Sequence, residues 1–317
     1  MAEAVTVELD AQYRQLREEC GVVDRSDRGK LLVTGPEAAE YLQGQLTNDI
    51  EALAPGEGCY AALLDRKGHM QADMRVLAVS EEKVWLDTEP EGLAAARRHL
   101  EMYKVGRDAD VRDAGAERAI VSLIGPRSAE LAGSSPLPEH FHEEIVVEGI
   151  ECPAVGTSLG IDLIPRAVDR ERLIAALAEA GAPAVDPAAA EIVRIEGSVP
   201  RFGSEMDTAT MPAEAGIVKR AVNFEKGCYI GQETVARLHY KGKPNRHLRG
   251  LRLSAPTGPG AALSLRDKEV GRLGGSCVSP AHGPIGLAIV RREAEPGTEL
   301  LVGEDGVTAR VVDLPFG

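Results

Sequence analysis

Cys228 stands between Gly227 and Tyr229, two residues after Lys226, in the run KGCYIGQE. A thiol acts as a nucleophile or transient ligand in its thiolate form, and a nearby cation and a helix N-terminus both favour that form. The run supplies a lysine, and residues 231–236 read as the start of a helix with Glu233 suited to its first turn. Gly227 and Gly231 let the chain turn sharply and leave the sulfur uncovered. A cysteine packed as a small hydrophobe is the opposite reading, and these residues alone leave both open. A second candidate is the alternating stretch from His69. There His69, Gln71, Asp73 and Arg75 share one face and Met70, Ala72, Met74 and Val76 the other. That polar row is either a wet sheet face or the wall of a ligand pocket. A third is the acid-free run from Arg237 to Arg252, which carries Arg237, Lys241, Lys243, Arg246, Arg249 and Arg252. It reads either as a site for a small anion or as a solvated face.

Several other chemistries lack their residues. The five cysteines are scattered, with no C-x-x-C and no clustered His/Cys set, which argues against a disulfide framework or a metal site. No Walker motif occurs, and a glycine directly before Cys228 breaks the nucleophile-elbow spacing. A net charge of −14 and only 3% aromatic residues disfavour nucleic acid and anionic membrane as partners. No run reaches the ~18 apolar residues of a membrane span. With unpaired cysteines and a start, MAEAVTVELDAQY, that lacks a basic and apolar leader, the expectation is a cytoplasmic protein.

The elements that must position these groups fall into three styles. KLLVTGPEAAEYL (residues 30–42) and AIVSLIGPRSAELA (residues 119–132) share a strand, a Gly-Pro turn and a helix, with Gly35, Pro36, Ala39 and Glu40 matching Gly125, Pro126, Ala129 and Glu130. They read as two elements of one duplicated α/β domain, with the segment between them inserted. That segment has three strands, at 59–64, 69–79 and 83–87, then a helix over 89–103. Further helices are signposted at 170–180, stopped by Gly181, and after Asp186 as N-cap with Pro187 at the first position. Past Lys243, short β-rich runs between Gly- and Pro-rich turns predict a small β-barrel.

These runs resemble the YgfZ-type folate-binding proteins, relatives of the T-protein (aminomethyltransferase) of the glycine cleavage system. The resemblance rests on KGCYIGQE and, along the chain in the same order, on LLVTGPEAAEYLQGQLTNDI, IEGSVPRFGSEM, MPAEAGI and VGRLGGSCVSP, and it spans nearly the whole chain. It implies an α+β fold of three domains in a clover-like ring. These are a discontinuous α/β folate-binding domain (1–50 and 114–243), an inserted α+β domain (51–113) and a C-terminal β-barrel (244–317). It implies tetrahydrofolate or a derivative as cofactor, and a monomer that supports the assembly or repair of iron–sulfur enzymes. The implied partners are a folate-type small molecule and iron–sulfur client enzymes or assembly proteins. Cys228 is then the functional thiol and Lys226 its activator. The implied cofactor residues are Asp73, Arg194, Glu196, Tyr229, Gln232 and Arg237. Asp73 matches an aspartate that the transferases place near the folate's reactive nitrogen. Arg194 and Glu196 either serve the pocket or form a structural ion pair. The alternative function is folate-dependent aminomethyl or other one-carbon transfer. Four departures bear on it: the aspartate stretch reads ADM (72–74) and keeps only Asp73, a strand end that is usually rich in asparagine reads LDTEP (86–90), and two more lie further on. VGTSLG (155–160) has no acid where the transferases read the pterin with a glutamate, and Ala190 stands where an arginine is expected.

Overall fold

The computed structural model describes residues 2–316, with side chains from residue 8 onward. The chain divides into two compact units. One comprises the N-terminal part to Leu64, Gln71–Ala190 and Arg220–Ile230; the other comprises Asp65–Met70, Glu191–Lys219 and the chain from Gly231. Among the described residues no helix is long and apolar enough to cross a membrane.

The first unit is built on two five-stranded antiparallel sheets. In one, the strand order is Gly58–Leu64, Met70–Ser80, Lys83–Thr88, Gly29–Thr34 and Asp110–Asp113. In the other it is His142–Val147, Ile150–Thr157, Gly160–Leu163, Val121–Ile124 and Gly21–Asp24. The two orders match position for position. Each sheet takes its last strand from the opposite half of the sequence: Gly21–Asp24 pairs with Val121–Ile124, and Asp110–Asp113 pairs with Gly29–Thr34.

The duplication is therefore larger than the two Gly-Pro units suggested. Residues 51–113 do not make a sheet of their own. Their strands share a sheet with Gly29–Thr34, so the expected boundary at residue 50 cuts through it. The repeating element is a helix, two strands, a helix and three strands, once from Ala2–Glu18 to Lys83–Thr88 and again from Pro90–Tyr103 to Gly160–Leu163. The Gly-Pro turns show why the equivalence is physical. Gly35 (φ 124) and Gly125 (φ 131) both adopt a conformation open to glycine. A Cβ on Gly35 would lie 2.3 Å from the Asp108 carbonyl oxygen, and one on Gly125 2.4 Å from that of Glu19. The same two carbonyls accept hydrogen bonds from the backbone N–H of Glu37 and Arg127 (both 3.2 Å), each two residues after its glycine.

Alternation along the strands sets the layers. Leu31, Val33, Met74 and Val76 pack with Leu42, Ala96 and Leu100 of the helices Ala38–Gln43 and Pro90–Tyr103. Leu123, Ala154 and Ile161 of the second sheet pack with Leu173 and Leu177 of the helix Arg170–Glu179. The opposite faces meet each other through Leu32, Leu77 and Trp85 against Val155 and Ile164. Next to this apolar contact the inter-sheet layer is ionic. Arg75 donates from Nε to Asp87 Oδ2 (2.8 Å) and from Nη1 to Asp162 Oδ2 (2.7 Å), while Ser122 Oγ donates to Asp162 Oδ1 (2.6 Å). Arg28 donates to Asp87 Oδ1 from Nε (3.0 Å) and Nη2 (2.7 Å), and its Nη1 donates to Glu89.

The second unit holds the barrel. Six strands close in the order Arg246–Leu253, Val307–Val312, Glu299–Val302, Ala262–Leu265, Lys268–Arg272 and Gly283–Arg291, which pairs back onto the first. Ser276–Ser279 adds a seventh strand outside the ring, on Gly283–Arg291. Leu251, Leu263, Val290, Leu300 and Val311 fill the interior. The barrel expected from residue 244 is present, and its first strand begins at Arg246.

Asp87 is fully buried. Burial alone would raise its pKa, but the charges of Arg75 and Arg28 and their hydrogen bonds outweigh it and hold the carboxyl well below the usual carboxylate range. Removing one partner of such a buried network leaves uncompensated charge. Asp87→Ala is expected to lower the unfolding free energy by about 3–5 kcal/mol at neutral pH, read as a fall in urea midpoint. Because the folded pKa is depressed, the Asp87 contribution is present above the unfolded value of about 3.9 and fades as pH falls below it. The gap between wild type and variant should therefore narrow in acid.

Candidate functional site

The polar row is half-exposed at His69 and Gln71 and buried further along. Asp73 and Arg75 are 7% and 6% exposed, and both face the inter-sheet layer with Leu77. Tyr60, on the neighbouring strand Gly58–Leu64, donates from its hydroxyl to Asp73 Oδ2 at 2.6 Å. The other oxygen, Oδ1, is buried with no hydrogen-bond partner. Burial raises the Asp73 pKa to about 6; the Tyr60 hydrogen bond and the Arg28 charge pull against that rise, and Glu89 adds to it. Tyr60 is in turn pushed well above its ordinary value, first by burial and then by the Asp73 charge. The Arg220 guanidinium lies 5.3 Å from the centre of the Tyr60 ring and pairs with Glu139 at 2.6 Å.

The loop after helix Ala38–Gln43 joins this carboxylate to the KGCYIGQE run. Thr47 accepts at Oγ1 from the Ala62 N–H (2.8 Å) and donates to the Ala221 carbonyl (2.5 Å). Asn48 donates through Nδ2 to the carbonyls of Tyr60 (2.9 Å) and Arg220 (3.1 Å). Lys226 then closes the loop. Its buried ammonium donates to the carbonyls of Gln43 (2.5 Å), Leu46 (2.7 Å) and Asn48 (2.8 Å), and lies 5.2 Å from the centre of the Tyr229 ring. Burial lowers its pKa to about 8, against the pull of Asp49.

Lys226 was expected to activate Cys228. Its three N–H bonds all go to loop carbonyls, so none is left to hold a thiolate. The lysine shapes the loop that carries Asn48. Cys228 itself is exposed, whereas Cys20 and Cys152 are buried and Cys59 and Cys277 half-buried. Burial pushes those four thiols up to between about 11 and about 12. Tyr229 is 7% exposed, and its hydroxyl is buried with no hydrogen-bond partner.

The remaining expected residues lie in the second unit. Arg194 is saturated. Nε and Nη2 donate to Glu191 (2.9 and 2.7 Å), Nη1 and Nη2 to Glu205 (both 3.0 Å), and Nη1 also to the Val199 carbonyl (2.5 Å). All five of its donors are thus used within the protein, on Glu191, Glu205 and the Val199 carbonyl and not on Glu196. Glu205 in turn accepts from the Gly275 N–H at 2.7 Å, and Glu196 accepts from Ser279 Oγ at 2.5 Å. Gln232 opens the helix Gln232–Lys241, and Arg237 is exposed on it. Part of the basic run is paired, since Arg246 donates to both oxygens of Glu214 (2.9 and 2.7 Å). Among the described residues no group of three His, Cys, Asp or Glu could hold a metal ion.

Sequence reasoning reached Asp73, Lys226 and Cys228 but missed Tyr60, Arg28, Asp87 and Asn48. In the sequence reading Asp87 closes a strand and Glu89 opens a helix, and neither is placed in the site. The one available signal was the polar row, because a buried aspartate and arginine on one face require partners from neighbouring strands.

Comparison with known proteins adds a family. The model of the GCVT N-terminal domain matches residues 3–226. The chain is 29% identical to an aminomethyltransferase of Rubrobacter xylanophilus, covering 97% of this chain and 86% of that protein. It is 27% identical to an aminomethyltransferase of Thermotoga petrophila, covering 95% and 87%. In fold it is similar to the glycine cleavage system aminomethyltransferase T of Bartonella henselae, with a TM-score of 0.86, 23% identity and coverage of 98% and 89%.

The raised pKa of Asp73 has a stability consequence. A carboxyl whose folded pKa lies above its unfolded value favours the fold at low pH, and that contribution is lost as pH rises through the folded value. Relative to Asp73→Asn, the wild-type protein is expected to lose about 2–3 kcal/mol between pH 4 and pH 7.5. Urea unfolding of both proteins at the two pH values measures it, and a constant difference between them would contradict the assignment.

Proposed function

The chain belongs to the GCVT N-terminal domain family, and from that premise we propose that it binds a reduced folate at Asp73 and supports iron–sulfur enzymes through Cys228. The observation that carries the folate half is Asp73 Oδ1, a buried carboxylate oxygen with no hydrogen-bond partner. Such an atom is costly unless a proton or a ligand donor satisfies it. Tetrahydrofolate fits the requirement. When bound, it supplies ring N–H donors and, with a one-carbon unit attached, a centre that develops positive charge. Tyr60 fixes the other oxygen, so the direction in which Oδ1 accepts is set before any ligand arrives. The Tyr229 hydroxyl, also buried without a partner, is a second group able to receive a polar ligand.

The thiol half is supported by exposure. Cys228 alone of the five cysteines is exposed, and it lies in the run that resembles the YgfZ-type signature. In this role it holds, passes or protects a sulfur or iron species for a client enzyme. Aminomethyl transfer is the second reading. It is favoured by the relatives named aminomethyltransferase and by an Asp73 whose pKa of about 6 suits proton handling near neutral pH. The absence of an acid in VGTSLG and the alanine at position 190 weigh against it.

Calorimetry with tetrahydrofolate tests the folate half. Saturable binding is expected for the wild-type protein and at least tenfold weaker binding for Asp73→Asn; a wild-type protein that gives no binding heat sinks it. The thiol half is tested in cells lacking the protein. Cys228→Ala is expected to leave iron–sulfur enzyme activities low where the wild type restores them, and full restoration by the variant would remove the thiol role. Turnover of a methylamine donor with tetrahydrofolate, abolished by Asp73→Asn, would establish the transferase reading.

A further inference from the structure

A separate cavity of about 110 Å³ opens at the apolar end of the inter-sheet layer. Its wall is made by Leu77 and Trp85 from one sheet and by Pro153 and Ile164 from the other half of the repeat. The volume is of the order of a ~150 Å³ apolar cavity known to take benzene. Trp85 is the chain's only tryptophan, and its Nε1 donates to Asp87 Oδ2 at 3.3 Å. The indole is therefore held in place by a fully buried carboxylate, and the aromatic wall is fixed in advance of any ligand.

The polar side of the cavity carries Arg118, Arg112 and Lys83 with Glu117 and Glu144, and the His142 ring, whose Nδ1 is buried without a hydrogen-bond partner. Arg118 is half-buried and lines it, and its Nη1 makes one long hydrogen bond of 3.3 Å to the Ile164 carbonyl. Lys83 stands at the rim, and among the described residues neither cation pairs with an acid. Two carboxylates also reach the rim. Glu117 is taken by Arg112, and Glu144 is exposed to solvent. A half-buried guanidinium beside an aromatic and aliphatic wall favours a flat apolar body that ends in a carboxylate, because the fork of N–H donors matches two carboxylate oxygens.

We infer that this cavity is a binding site for a small aromatic carboxylate, with the ring against Trp85 and the carboxylate on Arg118. The site is distinct from Asp73 and does not depend on the folate reading.

The probe is benzoate, titrated into the full chain. Binding is followed by the emission of the single tryptophan and, independently, by calorimetry. The expected result is saturable binding with Kd on the order of 1 mM or tighter, at least tenfold weaker binding of the neutral isostere benzamide, and a similar loss for Arg118→Gln. Ala114→Leu, which fills the cavity wall, should abolish binding. No saturable binding by either readout overturns the proposal. So does equal affinity for benzoate and benzamide on the wild-type protein, a comparison that needs no variant to fold. Benzoate binding that survives both substitutions places it elsewhere and also overturns the proposal.

Discussion

The first unit depends on one carboxylate. Asp87 lies fully buried between the guanidinium groups of Arg28 and Arg75, with the Trp85 indole N–H as a further donor. Each of these charges would be prohibitive alone in that layer. Together they offset one another, with Arg75 Nη2 left as a buried donor without a hydrogen-bond partner, and through Arg75 to Asp162 and Ser122 they tie one sheet to the other. Apolar contact between Leu77, Trp85, Val155 and Ile164 gives the sheets a reason to pack but little reason to choose a register. The ionic network supplies that choice.

The same layer grades from apolar to charged, and function follows the gradient. At one end an aliphatic and aromatic cavity meets Arg118. In the middle stands the Trp85–Asp87–Arg75 cluster. At the other end Asp73 keeps one oxygen for Tyr60 and one without a protein partner. Arg28 explains why two aspartates so close in environment behave oppositely. It pairs directly with Asp87, whose pKa is driven down, but acts on Asp73 only through its charge, so burial prevails there and the pKa rises. Two carboxylates with separated pKa values, one saturated by guanidinium donors and one with an unpartnered oxygen, owe the difference to hydrogen bonding and not to residue type.

Much of this was legible in the sequence, and the failures have specific causes. Period-two alternation located Asp73 and Arg75 on one face, and the duplicated Gly-Pro turns identified positions whose backbone approach excludes a side chain. What alternation cannot give is which strand lies alongside. Tyr60, Asp87 and Arg28 come from three other parts of the chain and converge only once the sheet order is known. The exchange of Gly21–Asp24 and Asp110–Asp113 between sheets hid the full repeat for the same reason. Local sequence shows two similar Gly-Pro units, while the pairing that completes each sheet joins Asp24 to Val121 in one and Thr34 to Asp110 in the other and leaves no local mark. Lys226 misled because proximity in sequence to Cys228 suggested a charge pair, whereas burial demanded that the ammonium find carbonyls.

That last point changes what the KGCYIGQE run is. Its lysine and its cysteine have different jobs. Lys226 gathers the carbonyls of Gln43, Leu46 and Asn48, and Asn48 in turn ties the Tyr60 and Arg220 backbones together. Tyr60 carries the hydroxyl that orients Asp73. The run is thus connected to the carboxylate through Asn48 and Tyr60, while Cys228 is left on the surface with no part in that chain of contacts. The run braces the loop that leads to Asp73 from one residue and presents an exposed thiol from another.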